Sequence, residues 1–321
     1  KVSINDLFLN ETDSMADVSQ SMLQDDLALQ QSWGWGEKKR ARVNPEALVR
    51  REAEAERADV RLFEAAVTKH FRDQIDAVSE ALGLTSKAVA DDVFEALSRF
   101  LTDDGMFDPD LWDALPEDEQ RRITEAIADG LLDWNAEAEK LIQLFNPIWR
   151  KTYSDGLKIS EEIYNLTEVD RPEFVTHAKV NGGQRIVGIE QATKRKIAEI
   201  ISRGVAEGSS QATLRQYIKD EMNFASAARV KTIARQETMT TLATGQFDMM
   251  KSAGAKTKTW HHRPQKNPRD GSNGPNHVIL NGETVPIDGR FSNGLRYPRD
   301  PQDPRPEELI NCRCYLTYGG F

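Results

Sequence analysis

Amphipathic segments dominate the chain between residues 45 and 166. Apolar side chains recur there three or four positions apart, the spacing of helices that bury one face. The clearest stripe is Phe63, Val67, Phe71, Ile75, Val78 and Leu82. Asn44 and Pro45 suit the cap and first position of this helix, and Gly83 suits its end. The pattern predicts a helical region over residues 45–166.

The same region contains further helix signals and a predicted break. We expect a second helix from Thr85, a third from Pro116 to Phe145, and another that ends near Leu166. Asn146-Pro147 should separate the last two, because proline lacks a backbone donor and restricts the residue before it. His70 is predicted to lie on the surface of the first helix.

Residues 1–44 and 167–185 lack sustained periodicity. We interpret the first as an extended arm or linker and the second as an irregular linker. Helix signals return over residues 192–253, where Gly208 is a suitable helix end and Ser210 a suitable cap. Separate helices are expected at Ala192–Val205, Ala212–Met222 and about Ala225–Ala253.

Shorter apolar runs separated by Gly, Pro and Asn fill residues 256–321. Lys256–His261 alternates as a strand does. Asn281-Gly282 lies between Val278–Leu280 and Thr284–Ile287, which predicts a β-hairpin. Cys314–Tyr318 is the last predicted strand.

The expected fold class is α+β. A predominantly α-helical N-terminal region with long amphipathic helices precedes a smaller α+β domain, residues 186–321, with a short antiparallel sheet. Helices should occupy residues 192–253 of this domain, and hairpin and loops residues 256–321.

Composition narrows the class of protein. Apolar residues make up 39% of the chain and charged residues 29%. No apolar run is long enough for a membrane-spanning helix, so no membrane partner is expected. Two cysteines exclude a disulfide-rich scaffold and fit a reducing compartment.

The net charge of −10 is unevenly distributed. Ala227–Phe321 contains 14 Lys and Arg against 9 Asp and Glu, whereas the first 226 residues contain 28 against 43. A dedicated DNA-binding domain would be more basic. The mildly basic C-terminal part still allows contact with nucleic acid or an acidic partner.

The C-terminal part of the chain contains a series of short motifs, and their order along the sequence is informative. They are a helix–Gly-Ser–helix unit at Gly208-Ser209-Ser210, Ala234-Arg235-Gln236-Glu237, the strand ending in Trp260, Arg269-Asp270, His277, the turn with Gly282, Asp288, Phe291, Tyr297-Pro298 and Asn311-Cys312-Arg313-Cys314. Over about 186–318 this order resembles the Mu F-like head morphogenesis domain, the minor head protein family of tailed bacteriophages.

The resemblance implies a low-copy structural protein, not an enzyme. It implies assembly in the host cytoplasm and a final location in the virion, inside the head near the portal. Portal protein and other capsid components would be its partners, and head assembly or early DNA delivery its role. Exposed Asn, Arg and Lys of the final loops would contact the portal or DNA backbone phosphates, the latter without sequence specificity.

The C-terminal region also contains residue types that bind zinc. Candidate ligands are His261, His277, Cys312 and Cys314, with His262 nearby. A loop-rich segment with little apolar content would gain stability from a metal. One residue between the cysteines is fewer than the two to four usual in structural zinc sites.

The interpretation that we favour over a zinc site is therefore that the chain binds no cofactor. Both cysteines would then be reduced residues of the last strand, with Arg313 on its opposite face. A disulfide between them is disfavoured by its strained geometry.

Two groups of residues in the C-terminal half allow a catalytic interpretation. Arg235 and Glu237 lie two residues apart on a helix and do not face each other, so we expect them to support the hairpin loops. A metal-dependent nuclease or toxin-type effector is the alternative function. It would use the C-terminal His, Asp and Cys residues, in the nuclease form His261, His262, Asp270, His277 and Asn281. A proline-rich loop rather than a helix follows Asn281, which argues against the nuclease.

Overall fold

The computed structural model describes residues 43–82, 96–166, 169–172, 174, 177–263, 269–272, 274–303 and 305–321. Nearly all of the predicted arm, the predicted helix end at Gly83 and the helix start at Thr85 lie outside this set. The chain divides into two compact units. Of the described residues, the first unit contains those of Val60–Trp149 and Thr176–Arg235. The second contains those of 43–59, Arg150–Val175 and Gln236–Phe321.

Helices make up most of the chain before residue 253. They are α1 (Pro45–Ala81), α2 (Pro109–Asp113), α3 (Glu117–Gly130), α4 (Trp134–Tyr164), α5 (His177–Ala206) and α6 (Gln211–Ser252). Among the described residues, no helix has both the length and the apolar character needed to cross a membrane.

The predicted start of α1 is confirmed. Asn44 Oδ1 accepts hydrogen bonds from the backbone N–H groups of Glu46 (3.0 Å) and Ala47 (3.3 Å). These two bonds satisfy donors that a helix N-terminus leaves without partners.

The predicted break at Pro147 was wrong, because Pro147 lies inside α4. Phe145 and Trp149 flank it, are fully buried, and contact each other edge to face with centroids 5.4 Å apart. Their burial offsets the hydrogen bond that a proline removes. The helix predicted from Pro116 to Phe145 is instead interrupted earlier, where Asp133 caps α4 by accepting from the backbone N–H groups of Asn135 and Ala136.

Two other helix boundaries also differ from prediction. Residues 177–185, assigned to an irregular linker, are part of α5. The buried Ile186 and Ile189 anchor this part of the helix despite Gly182-Gly183, a case of packing that outweighs propensity. The separate helices predicted at 212–222 and 225–253 form the single helix α6, since no proline or glycine lies between them.

The core of the first unit is formed by apolar side chains of α1, α3, α5 and α6. His70, predicted on the surface of α1, is only 2% exposed. Its Nε2 lies 2.9 Å from Glu190 Oε1, and Gln74 Nε2 donates to Glu190 Oε2 at 2.6 Å. The helical core thus contains a hydrogen-bonded polar cluster that periodicity alone did not indicate.

A three-stranded antiparallel sheet belongs to the second unit. Its strands are β1 (Thr257–His261), β2 (Thr284–Pro286) and β3 (Tyr315–Gly319), in the order β2-β1-β3. The short helix α7 (Pro306–Leu309) precedes β3. The predicted α+β class with a short antiparallel sheet is confirmed.

The predicted hairpin around Asn281-Gly282 was wrong in its pairing. β2 pairs with β1, not with residues 278–280. Gly282 has φ +83°, and its N–H donates to the carbonyl of Trp260 at 2.8 Å. β1 therefore provides the partner edge, and Val278 and Ile279 stay 43% and 72% exposed in a turn.

Glycine permits a close approach of α4 and α6 within the second unit. A Cβ on Gly156 would lie 2.5 Å from the carbonyl oxygen of Leu242, and one on Gly245 would collide with the carbonyl oxygen of Tyr153. Larger residues at either position would force the two backbones apart.

Candidate metal centre

Three side chains of the types that can bind a metal meet in the core beside the sheet. His277 lies in the loop before β2, and Cys312 and Cys314 lie between α7 and β3. His277 Nδ1 is 3.5 Å from Cys312 Sγ and 3.7 Å from Cys314 Sγ. The ligand atoms of all three lie within 4.8 Å of one another. All three side chains are buried, and both cysteines are free thiols.

The local chain explains why both thiols face the histidine. Asn311 has φ +61° and lies just beyond α7, and β3 begins at Tyr315, one residue later than predicted. Side chains two residues apart share a face in extended chain. Cys312 and Cys314 are accordingly both buried, whereas Arg313 between them is half-buried.

Neighbouring groups fix the orientation of the His277 ring. Its Nε2 lies 2.8 Å from Glu308 Oε2, and Asn293 Nδ2 donates to the same oxygen at 3.2 Å. The Trp260 ring contacts the imidazole edge to face at 5.4 Å. A carboxylate only accepts hydrogen bonds, so Nε2 is the donor to Glu308 and Nδ1 is the ring nitrogen that faces the sulfurs.

Arg299 is a site residue that the sequence did not indicate. It has φ +63° and is 2% exposed. Its Nη1 donates to the carbonyl of Cys312 at 2.5 Å, and its Nε donates to the carbonyl of Met239 at 3.3 Å. The buried guanidinium therefore fixes the backbone of the cysteine segment and brings a positive charge close to it.

The two thiols differ in acidity. Burial raises the pKa of Cys312, but hydrogen bonds with Cys314 and His277 and the charge of Arg299 outweigh it and hold this pKa well below its usual range. Burial, followed by the hydrogen bond and charge of Cys312, holds the pKa of Cys314 well above its usual range.

His262 is the second histidine beside this cluster. Its Nε2 is buried and has no hydrogen-bond partner among the described residues, whereas its backbone N–H donates to Asn281 Oδ1 at 2.9 Å. Burial lowers the pKa of His262, and Cys312 and His277 also act on it electrostatically.

His261, predicted as a ligand, is not brought to the cluster. Its Nε2 lies 2.8 Å from Thr317 Oγ1, and its ring stacks on Tyr315 at 4.9 Å. Strand alternation explains this, because the neighbouring Trp260 points into the core and His261 points to the other face of β1.

The remaining residues of the predicted nuclease constellation are engaged separately. Asp270 is exposed and accepts hydrogen bonds from the backbone N–H (3.0 Å) and hydroxyl (2.6 Å) of Ser272. These bonds lower the pKa of Asp270. Asn281 accepts from the backbone of His262, as described above. The structure thus brings His277 together with the cysteines, not with Asp270 and Asn281.

The other predicted motif residues have mainly structural surroundings. Trp260, Phe291 and Pro298 are buried, and Trp260 contacts Phe291 edge to face at 5.0 Å. Asp288 is exposed and pairs with Lys251 at 2.5 Å. On α6, Glu237 is buried and Arg235 is half-buried. Their expected support of the hairpin loops stays a prediction.

Residues 195–317 match the family model described as Phage Mu protein F like protein. The match begins within α5, ends within β3 and includes His277, Cys312 and Cys314. It confirms the resemblance predicted over about 186–318. The family points to a phage head morphogenesis protein and is a structural head protein family. The comparisons with curated proteins and with solved structures gave no match.

Proposed function

We propose that the chain is a structural minor head protein of a tailed bacteriophage, located inside the head beside the portal and active in head assembly. The match of residues 195–317 to the Mu F-like family carries this proposal. The matched stretch contains α6, β1 and β2 and ends within β3. The proposed partners are the portal protein and other capsid components.

Contact with packaged DNA is part of the proposal. The last 95 residues contain the excess of Lys and Arg, and Lys256 and Arg290 are exposed there. Such residues bind backbone phosphates without sequence specificity. Binding of the full chain to DNA should weaken steeply between 50 and 200 mM salt, as counterion release requires. Salt-independent binding, or none at 50 mM, would remove DNA from the proposed partners.

The structural role is tested in the phage whose genome encodes the chain. An amber mutation in the gene should yield particles that are defective in assembly or infectivity, and the wild-type gene in trans should restore them. Mass spectrometry of purified virions should detect the chain at lower copy number than the major capsid protein. Infectious amber particles, or virions that lack the chain, would contradict the proposal.

Two glycine variants sharpen the complementation test. Gly245→Ala, which clashes with a backbone carbonyl, should fail to complement the amber mutant. Gly188→Ala, an exposed helical position with open space around it, should complement fully. Portal protein should co-purify with the Gly188→Ala chain and not with the Gly245→Ala chain.

A nuclease activity would compete with the structural role. The Glu308 partner of His277 and the exposed position of Asp270 favour the structural role instead. The full chain incubated with plasmid DNA and Mg²⁺ or Zn²⁺ should leave the plasmid intact. Cleavage that His277→Ala abolishes would instead establish the enzymatic alternative.

A further inference from the structure

We propose that His277, Cys312 and Cys314 bind one structural zinc ion, with His262 as the fourth ligand. Thiolate and imidazole together are ligands that zinc prefers. The proposal does not depend on the phage function, since it concerns the internal chemistry of the second unit.

The spacing of the three buried groups fits a tetrahedral ion. Zn–S bonds of about 2.3 Å and Zn–N bonds of about 2.0–2.1 Å at tetrahedral angles place sulfur and nitrogen about 3.5 Å apart. The two observed separations from His277 Nδ1 are 3.5 Å to Cys312 Sγ and 3.7 Å to Cys314 Sγ. One ion can therefore contact all three atoms with little rearrangement.

Hydrogen bonding alone satisfies the cluster poorly. His277 Nε2 is committed to Glu308, so Nδ1 offers a single hydrogen-bonding site to two sulfur atoms. One sulfur can use that site, and the other can bond only to the neighbouring sulfur, a weak hydrogen-bond partner, in an apolar core. A cation at the centre of the cluster satisfies both sulfurs and the nitrogen at once.

The surroundings of His277 match those of a metal-bound histidine. Metal-ligating imidazoles commonly donate their other N–H to a carboxylate, which fixes the tautomer and the ring orientation. Glu308 accepts from Nε2 in this way, and Asn293 holds Glu308 in turn. Arg299 holds the backbone of Cys312 through its carbonyl.

His262 would supply the fourth ligand after a side-chain shift, since the group of ligand atoms within 4.8 Å of one another contains only the other three residues. Its Nε2 is the buried imidazole nitrogen that lacks a hydrogen-bond partner among the described residues. Two features fix the backbone of His262. It directly follows β1, and its N–H donates a hydrogen bond to Asn281 Oδ1. Ligation would remove the cost of leaving a buried polar atom unsatisfied.

The ion would join three separate parts of the loop-rich chain. His262 follows β1, His277 precedes β2, and Cys312 and Cys314 precede β3. The strands contain five, three and five residues. Short strands with long connections form a small core, and a metal is a common means of stabilising such a region.

The test measures metal content of the full chain purified without an affinity metal and under reducing conditions. Elemental analysis should find one zinc per wild-type chain. Cys312→Ser, Cys314→Ser and His277→Ala should each lose at least nine-tenths of it. His261→Ala is the matched control, a histidine one residue from His262 but outside the cluster, and should keep one zinc.

A second measurement separates metal loss from misfolding. The wild-type chain, stripped with a chelator and titrated with Co²⁺, should develop a sulfur-to-cobalt charge-transfer band at one equivalent. Folded Cys312→Ser chain, checked by circular dichroism, should show a weaker band, and His262→Ala should show altered visible bands from a site with water as fourth ligand.

Three outcomes would overturn the proposal. They are a wild-type chain that takes up neither zinc nor cobalt at stoichiometric level, zinc retained in folded Cys312→Ser or His277→Ala, and zinc lost in His261→Ala. Recovery of a Cys312–Cys314 disulfide from the reduced, zinc-supplemented chain would likewise replace the metal with a redox pair.

Discussion

Each unit of the chain contains a buried histidine with a glutamate on Nε2, yet the two histidines have different second neighbours. In the helical unit, His70 Nε2 lies 2.9 Å from Glu190 and its Nδ1 lies 3.9 Å from Glu137. In the unit with the sheet, His277 Nε2 lies 2.8 Å from Glu308 and its Nδ1 faces two sulfurs. The group opposite Nδ1 therefore distinguishes a polar core cluster from a candidate metal centre.

The difference follows from how each unit is built. The helical unit buries a broad apolar cluster, so its histidine only needs hydrogen-bond partners. The second unit arranges much of its C-terminal part through polar contacts between loops. Asp300, for example, is fully buried and accepts two hydrogen bonds from the Arg296 guanidinium, at 2.7 and 2.6 Å. A region of this kind depends more strongly on a few specific interactions.

Metal removal should have the largest effect, and it should destabilise the second unit while it leaves the helical unit intact. Structural zinc contributes about 10–16 kcal/mol of apparent binding free energy in zinc-finger peptides, and folding depends on it. We expect a strong chelator to abolish hydrogen-exchange protection in β1 and β3 of the full chain. Residues 60–81 of α1, which include His70, should keep theirs. Equal loss in both segments, or no loss in either, would contradict the comparison.

Loss of the glutamate in the helical unit should have the next largest effect. Glu190→Ala leaves His70 Nε2 and Gln74 Nε2 without the carboxylate that they contact, at a cost of about 1–3 kcal/mol for each group. Urea unfolding should show this decrease in the free energy of unfolding, with zinc content unchanged. Zinc loss in this variant would show that the two sites are not independent.

A glycine in each unit provides a packing test. Gly245→Ala should lower the free energy of unfolding by about 1–3 kcal/mol, because the added Cβ collides with the Tyr153 carbonyl. Gly188→Ala should raise it by up to about 1 kcal/mol, since alanine is the better helix former. The two should be compared in thermal melts of the full chain. Equal effects would mean that α4 and α6 separate at little cost.

The smallest expected effect concerns the carboxylate behind His277. Glu308→Gln keeps the size of the side chain and weakens the hydrogen bond with His277 Nε2. This change should reduce zinc affinity about 10–100-fold. Competition with a chromophoric chelator measures this change. Glu307→Gln, the adjacent exposed position on α7, is the control and should leave the affinity unaltered. Equal affinities of both variants would show that Glu308 does not orient the ligand.

Local signals predicted the parts of the fold that depend on neighbouring residues. The Asn44 cap of α1, strand β1 and the position of the last strand to within one residue all followed from short patterns. Pro147 was misjudged because burial of its neighbours outweighs its local cost. The pairing of β2 was misjudged because β1, over twenty residues away, competes with residues 278–280.

The candidate site was predictable in residue type and only partly in identity. His277, Cys312 and Cys314 were named from sequence, but His261 was preferred to His262. Only the register of β1, which turns Trp260 inward, shows which of the two adjacent histidines can approach the cluster. Arg299 gave no local signal, because a surface arginine and a buried one look the same in sequence.

X-ray absorption at the zinc edge of the purified full chain tests the central claim most directly, because it counts the atoms around the metal. We predict a four-coordinate centre with two sulfur ligands at about 2.3 Å and two nitrogen ligands at about 2.0–2.1 Å. Conversion of His261 to Ala should leave the spectrum unchanged. A spectrum with only oxygen and nitrogen ligands, or one with a single sulfur, would contradict the assignment of His277, Cys312 and Cys314 to a metal centre.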